Sequence, residues 1–184
     1  EWIVRDQGAM VRQIGYSPKE FAEIMIAKEG GFSNAKALYN KSTLKESGYH
    51  PLPLESGSAG ERYSNILNKI FTKDYDFKDY DRAANIYWPG NKIGLGREDV
   101  VSFWKSLKDI LSEVKFKVEH VGYLDEPNKN PRASVRWSLE GIHSVDSEIY
   151  GKKTNSNLYF MGINHAELNS YSVIREWVLF DEVA

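Results

Sequence analysis

The spacing of the apolar residues changes near residue 113, and this change restricts the fold more than any other feature of the sequence. Before it, apolar residues recur at steps of three and four, which predicts an amphipathic helix over 100–111. After it, apolar and polar residues alternate, first over 114–119 and again over 133–140. Alternation is typical of strands that bury one face. Helices followed by strands predict an α+β fold.

Two capping boxes mark predicted helix starts in the first half of the chain. Ser17-Pro18-Lys19-Glu20 and Ser58-Ala59-Gly60-Glu61 each place a glutamate three residues after a serine, ahead of apolar residues at helical spacing. Arg82 to Trp88 predicts a short strand that ends at a Pro-Gly turn. Phe32 to Ser58 follows no period, which predicts a long loop or an insertion.

The end of the chain predicts a hairpin. The runs Asn157 to Leu168 and Val173 to Ala184 flank Asn169-Ser170, and with the two alternating runs before them they predict an antiparallel meander. Both faces of the last run carry apolar residues. We therefore expect another domain or subunit to cover the outer face of this strand.

Charge and composition exclude several classes of function. The formal net charge of -2 lacks the cationic field that nucleic-acid binding needs. The absence of cysteine excludes thiol catalysis, and no apolar stretch approaches the roughly 20 residues that span a bilayer. We expect a cytoplasmic protein with no nucleic-acid or membrane partner. Aromatic residues reach 13%, which fits either a filled core or a ligand pocket.

A short repeat suggests a tandem organisation. Glu1 to Ala9 matches Glu176 to Ala184 with four identities in nine positions, a tryptophan among them. This match predicts that residues 1–31 are the last strand and connector helix of a preceding copy, with Asp6 equivalent to Asp181. Residues 32–59 would then be a linker and 60–184 the domain itself. The alternative is two unrelated amphipathic strands.

The motifs for common cofactors are absent from the sequence. There is no P-loop, no complete dinucleotide fingerprint and no nucleophile elbow, and the four histidines lack metal-ligand spacing. We expect no metal and no organic cofactor. One acidic residue stands out, because Asp181 shares a strand face with Trp177 and Leu179. An acid on an apolar face is either functional or, as the alternative, hydrogen-bonded to a turn or an arginine at the strand end.

Three motifs carry a resemblance to a known family. They are Arg136-Trp137-x-Leu139-x-Gly141-x-His143, Gly162-Ile163-x-His165 and Ile174-x-Glu176-Trp177-x-x-x-Asp181. Together they resemble the SnoaL-like polyketide cyclase group of the nuclear transport factor two-like superfamily, over roughly residues 60–184. The resemblance implies a cone-shaped α+β barrel, in which helices pack on a curved antiparallel sheet around a pocket. It also implies a dimer through the outer sheet face.

The resemblance further implies a catalytic centre without a cofactor. Asp181 matches the aspartate that acts as general acid and base in the cyclases, and His165 matches a polar position that faces the pocket. A hairpin centred on residue 170 places Tyr159 opposite Asp181 and His165 near Arg175, so Tyr159 is the better partner for the aspartate. Four tryptophans are expected to line the pocket: Trp88, Trp104, Trp137 and Trp177. The last three should share one apolar cluster.

Two hypotheses for function follow. The first is a cofactor-independent enzyme of cyclase, isomerase or lyase type, which acts on a small hydrophobic carbonyl compound by aspartate acid–base catalysis. The second is a non-catalytic module of the same fold, which binds a small molecule or forms dimers. Asp181 discriminates between them: a buried acid with a raised pKa and an adjoining empty cavity favours the enzyme, and a salt-bridged aspartate with a filled cone favours the module.

Overall fold

The structure is a computed structural model that describes residues 5–29, 53–72, 75–148 and 150–180. Three helices precede the strands, and a fourth lies between the second strand and the third. They are α1 Gln7–Gln13, α2 Pro18–Glu29, α3 Ala59–Ile70 and α4 Arg97–Lys108. Six strands are β1 Tyr80–Trp88, β2 Lys92–Leu95, β3 Leu111–Leu124, β4 Arg132–His143, β5 Asn157–Leu168 and β6 Val173–Phe180. The predicted α+β class is confirmed.

All six strands form one sheet in the order β2-β1-β6-β5-β4-β3. The meander from β3 to β6 is antiparallel, as predicted, and β2 pairs antiparallel with β1. The expectation of a wholly antiparallel sheet is wrong for one pair, because β1 runs parallel to β6. No hairpin joins these two strands, so nothing in the local turn chemistry fixes their relative direction. The β3–β4 pairing has two register shifts, each of which places one extra residue in β3, and bulges of this kind bend a strand.

Both capping boxes begin helices as predicted. Ser17 Oγ accepts from the N–H of Glu20 at 3.1 Å, and the Glu20 carboxylate accepts from the N–H of Ser17 at 2.7 Å. Ser58 Oγ accepts from the N–H of Glu61 at 3.2 Å and starts α3. Each serine thus satisfies a backbone donor that the first helical turn leaves without a partner.

The predicted helix over 100–111 ends earlier than its apolar spacing indicates. The last helical residue is Lys108, Asp109 caps the helix, and β3 begins at Leu111. Ile110 and Leu111 are buried all the same. Apolar residues at a helix-to-strand junction enter the core from either conformation, so their spacing does not locate the boundary.

The final hairpin is offset by two residues from the predicted register. His165 pairs with Trp177 and Gly162 with Phe180, whereas a turn centred on residue 170 pairs His165 with Arg175. The turn is longer than Asn169-Ser170 because the Asn169 side chain accepts from the N–H groups of Tyr171 and Ser172. This side-chain turn holds residues 169–172 together and accounts for one residue of the offset, and the register shift between the Leu168–Val173 and Glu167–Arg175 pairs adds the second.

The prediction of a strand over Glu1 to Ala9 is wrong for the last residues of this range, which the structure describes. Residues 7–9 belong to α1, and Asp6 is its N-cap, accepting from the N–H of Ala9 at 2.7 Å. The same carboxylate accepts from the N–H of Gly90 at 2.8 Å, which fastens α1 to the turn between β1 and β2. The tandem organisation stays a prediction. Most of the predicted loop over 32–58 lies outside the described residues.

One hydrophobic cluster joins α3 and α4 to the inner face of the sheet. Its largest fully buried side chains include Trp104, Trp137, Tyr63, Tyr80 and Phe180. Aromatic residues therefore fill much of the space that the curved sheet encloses. Among the helices of the described residues, none is long and apolar enough to cross a membrane.

Candidate functional site

Within the described part of the chain, one carboxylate lies inside the aromatic core. Glu176 sits in the middle of β6, between Ile86 of β1 and Ala166 of β5, and its side chain has 0% of its surface exposed. Val178 and Phe180 are buried on the same strand face, because side chains at every second position point to one side of a sheet. An acidic residue in such surroundings needs partners or a function.

Four side chains donate hydrogen bonds to this carboxylate. Oε1 accepts from the hydroxyl of Tyr63 in a short bond, from the hydroxyl of Tyr80 at 3.0 Å and from Asn164 Nδ2 at 3.0 Å. Oε2 accepts from Trp104 Nε1 at 3.2 Å. We call these five residues the Glu176 cluster. All the bonds point toward the carboxylate, which is the pattern that stabilises its ionised form.

Asn164 is held in place by a fully buried neighbour, Trp137. The indole Nε1 donates to Asn164 Oδ1 at 2.7 Å. An indole N–H can only donate, so the amide oxygen faces Trp137 and the amide nitrogen faces Glu176. Asn164 Nδ2 also donates to the Tyr63 hydroxyl at 2.9 Å. One orientation of the amide therefore serves both the tyrosine and the carboxylate.

Burial and hydrogen bonding act on the acidity of Glu176 in opposite directions. Loss of solvent raises the pKa of its carboxyl above 4.5, and the bonds from Tyr63, Trp104, Tyr80 and Asn164 offset part of this effect. Burial and the neighbouring carboxylate hold the pKa of Tyr63 and of Tyr80 well above 10. Both phenols therefore remain neutral donors at physiological pH.

The two phenols come from different elements of the fold. Tyr63 lies on α3, where residues 66, 67 and 70 share its buried face, and Tyr80 opens β1. Trp104 reaches the carboxylate from α4. The cluster thus ties both packed helices to the centre of the sheet. A helix, a strand and a second helix must all be in position before the carboxylate has its partners.

Trp104 and Trp137 lie in the core, as expected, with ring centroids 6.5 Å apart. Trp88 packs against its edge and stacks on Phe103 at 5.0 Å. The expectation for Trp177 is wrong: it lies on the outer face of β6, 37% exposed, and stacks on Tyr87 rather than on the core. Glu176 and Trp177 are neighbours in sequence, so only one of them can face inward.

His165 does not face the interior either. It is exposed on the outer face of β5, where its ring centroid lies 5.3 Å from that of Trp177. The implied pocket position is wrong because the observed pairing turns Asn164 inward instead. Tyr159 is half-buried and pairs with Glu140 of β4. Asp181 lies outside the described residues, so its pairing with Tyr159 stays a prediction.

Sequence reasoning singled out Asp181 and overlooked Glu176, although the same signal marks both. In β6 the period of two places Glu176 with Val178 and Phe180, an acid on an apolar face. What the sequence could not show is which of the two faces lies toward the core, because both are apolar. That choice depends on the pairing register, which the turn at 169–172 and the shift between the Leu168–Val173 and Glu167–Arg175 pairs set together.

Metal binding finds no support in the described part of the chain. No group of three or more histidine, aspartate or glutamate side chains there is placed to hold a metal ion. The donors around Glu176 are phenol, indole and amide groups. Such groups suit proton transfer and hydrogen bonding rather than metal coordination.

No protein-family model matches the chain, and the comparison with curated proteins gives no match. Solved structures do match. A candidate polyketide cyclase from Pseudomonas putida KT2440 has 9% identity and a TM-score of 0.54, over 66% of this chain and 90% of that one. IdmH of Streptomyces antibioticus, also a candidate polyketide cyclase, has 13% identity and a TM-score of 0.53, over 67% and 91%.

A third structure is a candidate SnoaL-like polyketide cyclase from Jannaschia sp. CCS1. It has 12% identity and a TM-score of 0.51, over 70% of this chain and 91% of that one. The predicted resemblance to SnoaL-like polyketide cyclases is confirmed at the level of the fold. Identities this low carry the cone-shaped α+β architecture and not the reaction.

Proposed function

We propose that this cone-shaped domain is a cofactor-independent enzyme of cyclase, isomerase or lyase type that acts on a small hydrophobic carbonyl compound. The observation that carries the proposal is the fully buried Glu176, with two tyrosine hydroxyls within hydrogen-bond distance. A carboxylate with a raised pKa in an apolar interior is suited to accept a proton from carbon near neutral pH. The surrounding aromatic residues suit a hydrophobic substrate.

The reaction starts with Glu176 as the base. Oε2 accepts a proton from the carbon next to the substrate carbonyl, the C–H electron pair forms a carbon–carbon double bond, and the carbonyl π pair moves to the oxygen to give an enolate. Among the described residues only Trp104 donates to Oε2, so this oxygen keeps acceptor capacity, whereas Oε1 has three donors. A tyrosine hydroxyl then donates to the enolate oxygen. In isomerisation the carbonyl re-forms and the glutamic acid returns the proton to a second carbon of the conjugated enolate. In ring closure the enolate carbon attacks a second carbonyl carbon of the substrate, the π pair of that carbonyl becomes an alkoxide, and the glutamic acid protonates it.

Substrate access requires movement of the residues that cover Glu176. The carboxylate has no exposed surface, and Trp104, which donates to it, packs against the fully buried ring of Trp137. Side-chain and loop movements of this kind often accompany substrate binding. Asp181 retains its proposed role as a second acid, because the family resemblance places an acid–base aspartate there. Variants of the two carboxylates separate their contributions.

The test measures hydrogen–deuterium exchange next to the carbonyl of 2-tetralone, 1-indanone and cyclohexanone in D2O by proton NMR. We expect the wild-type protein to accelerate exchange of at least one ketone, and Glu176→Gln to lower that rate about 100-fold, as loss of a general base does. Glu98→Gln is the matched control, since Glu98 is exposed on α4. Asp181→Asn is measured beside it. Loss of exchange in Asp181→Asn with full activity in Glu176→Gln would assign the reaction to Asp181 and contradict the role of Glu176.

The second candidate is a binding or dimerisation module, and one observation favours it. All four donors are engaged with Glu176 inside a packed core, which is also how a structural anchor is satisfied. A protein that binds these ketones in NMR titrations and exchanges none of them would be such a module.

We also propose that a second copy of the chain covers the outer sheet face, as the family resemblance implies. Trp177, Ile93 and Leu95 are exposed there, and Ile163 and Leu179 are half-buried. Apolar side chains on a single sheet face are typical of surfaces that associate. Sedimentation velocity of the wild-type protein and of Trp177→Glu measures this association.

A further inference from the structure

A second candidate binding site lies apart from the Glu176 cluster. A cavity of about 360 Å³ opens where the end of β1 and the start of β2 meet α4 and the segment around Tyr150. No residue of the Glu176 cluster lines it. Its volume falls within the range of small-molecule pockets, which is roughly 300–1,000 Å³.

One wall of this cavity is a fixed aromatic surface. Trp88 stacks on Phe103 with centroids 5.0 Å apart and planes 18° apart, and Phe103 in turn packs against Trp104. Gly94 allows this arrangement, because a Cβ there would lie 2.5 Å from Trp88 Cζ3. The edge of the indole at Cζ3 therefore lies against the backbone of β2. Phe103 holds one face of the ring and β2 holds its edge, so the part of Trp88 that lines the cavity gives a ligand a preformed stacking surface at little cost in side-chain entropy.

The α4 wall supplies hydroxyl groups. Ser102 and Ser106 are four residues apart and so lie on one face of the helix. The Ser106 hydroxyl donates to the carbonyl of Phe103 at 2.7 Å, so its lone pairs are oriented to accept. Ser102 is exposed on the solvent side of the same face. Together they match a ligand that carries a hydroxyl donor.

The two charged side chains that line the cavity have opposite signs. Lys92 and Asp99 both line it and carry opposite charges, and Asp99 Oδ2 already accepts from the N–H of Leu95 at 2.8 Å. The cavity thus has no net charge to attract a strongly anionic or cationic ligand. Tyr150 adds a half-buried aromatic side chain from the segment after β4.

We propose that this cavity binds a small, neutral, planar aromatic molecule that bears a hydroxyl group. The ring stacks on Trp88, and the hydroxyl donates to Ser106. This site is additional to the proposed reaction at Glu176 and does not depend on it. A phenol or a fused two-ring alcohol has the size and polarity that the cavity offers.

The test is titration with 2-naphthol, followed by isothermal calorimetry and by proton–nitrogen correlation NMR. We expect shift changes centred on Trp88, Ser102, Ser106 and Tyr150. Ser102→Leu and Tyr150→Ala should each weaken binding at least 10-fold, and the anion naphthalene-2-sulfonate should bind at least 10-fold more weakly than 2-naphthol. Lys105→Leu is the matched control, since Lys105 is exposed on α4 and does not line the cavity.

Three results would overturn the proposal. They are equal affinity in the cavity variants and the control, shift changes centred on the Glu176 cluster instead, and preference for the sulfonate. The ketone exchange assay is run on the same variants. Weak naphthol binding with normal ketone exchange in Ser102→Leu supports this binding site and leaves the proposed reaction intact. Loss of ketone exchange in Glu176→Gln with normal naphthol binding supports the proposed reaction and shows that the two sites are independent.

Discussion

Gly162 is the position at which a single methyl group should disturb both the core and the Glu176 cluster. It lies on β5 directly opposite Trp137 of β4. A Cβ at residue 162 would lie 2.0 Å from Trp137 Cζ2 and 2.3 Å from Cε2. The indole would have to retreat to at least the 3.4 Å of an ordinary contact. Trp137 is fully buried, so no free space receives it.

The cost of Gly162→Ala has two parts. Overpacking of a filled core costs about 1–3 kcal/mol. A displaced indole also loses its 2.7 Å hydrogen bond to Asn164, which costs about 1 kcal/mol more. We expect Gly162→Ala to lower the free energy of unfolding by about 2–4 kcal/mol, the sum of these two magnitudes. Ketone exchange should also slow, because Asn164 loses the contact that directs its amide toward Glu176.

Urea unfolding followed by circular dichroism measures this loss. Gly122→Ala is the matched control: it is also a strand glycine, but a Cβ there meets nothing within 4 Å. We expect that control to change stability by less than about 0.5 kcal/mol. In a Trp137→Phe background the ring is smaller, so Gly162→Ala should cost less than in the wild type. Equal costs for the two glycine variants would refute the packing argument.

Three further predictions follow from the same contacts. The raised pKa of Glu176 means that the folded state keeps this proton at pH values where the unfolded chain has lost it. The free energy of unfolding should therefore fall as pH rises through that pKa, by at most about 1.4 kcal/mol per pH unit. Urea unfolding should show this fall in the wild type and not in Glu176→Gln. Gly90→Ala should destabilise the protein in thermal unfolding by about 1 kcal/mol or more, because Gly90 has a φ of 83°, a conformation that residues with a Cβ rarely adopt, whereas the Arg12 guanidinium near its Cβ position can move aside; unchanged stability would contradict this backbone strain. Trp177→Glu should shift the sedimentation coefficient from a dimer to a monomer without loss of folded structure, and a wild-type monomer at high concentration would refute the proposed dimer face.

The sequence predicted the elements of this fold well because their local signals agree with one another. The serines at residues 17 and 58 begin helices, and the alternation after residue 113 becomes the meander. The end of α4 was predicted at residue 111 instead of Lys108, because Leu111 is buried in the core although it belongs to a strand and not to the helix. The parallel pairing of β1 with β6 had no local signal at all, since it joins strands that are distant in sequence.

The candidate site was predicted only in part, because the sequence does not show the pairing register of β6 and therefore which of its faces points to the core. Shifting a strand by one residue exchanges its two faces, and β6 carries apolar residues on both. The sequence therefore offered Glu176 and Asp181 as two acids on two apolar faces. Four donors from four other elements distinguish Glu176, and no spacing along the chain brings Tyr63, Trp104 and Asn164 together.

The central claim is that the buried Glu176 carboxylate is the base of the proposed reaction. Its titration can be followed by carboxyl carbon-13 NMR, assigned by comparison with Glu176→Gln, beside the pH dependence of ketone exchange. We expect the Glu176 carboxyl to titrate above 4.5 and the rate of ketone exchange to rise with pH with the same midpoint. A carboxyl that titrates at or below 4.5, or an exchange midpoint that differs from it, would contradict the claim.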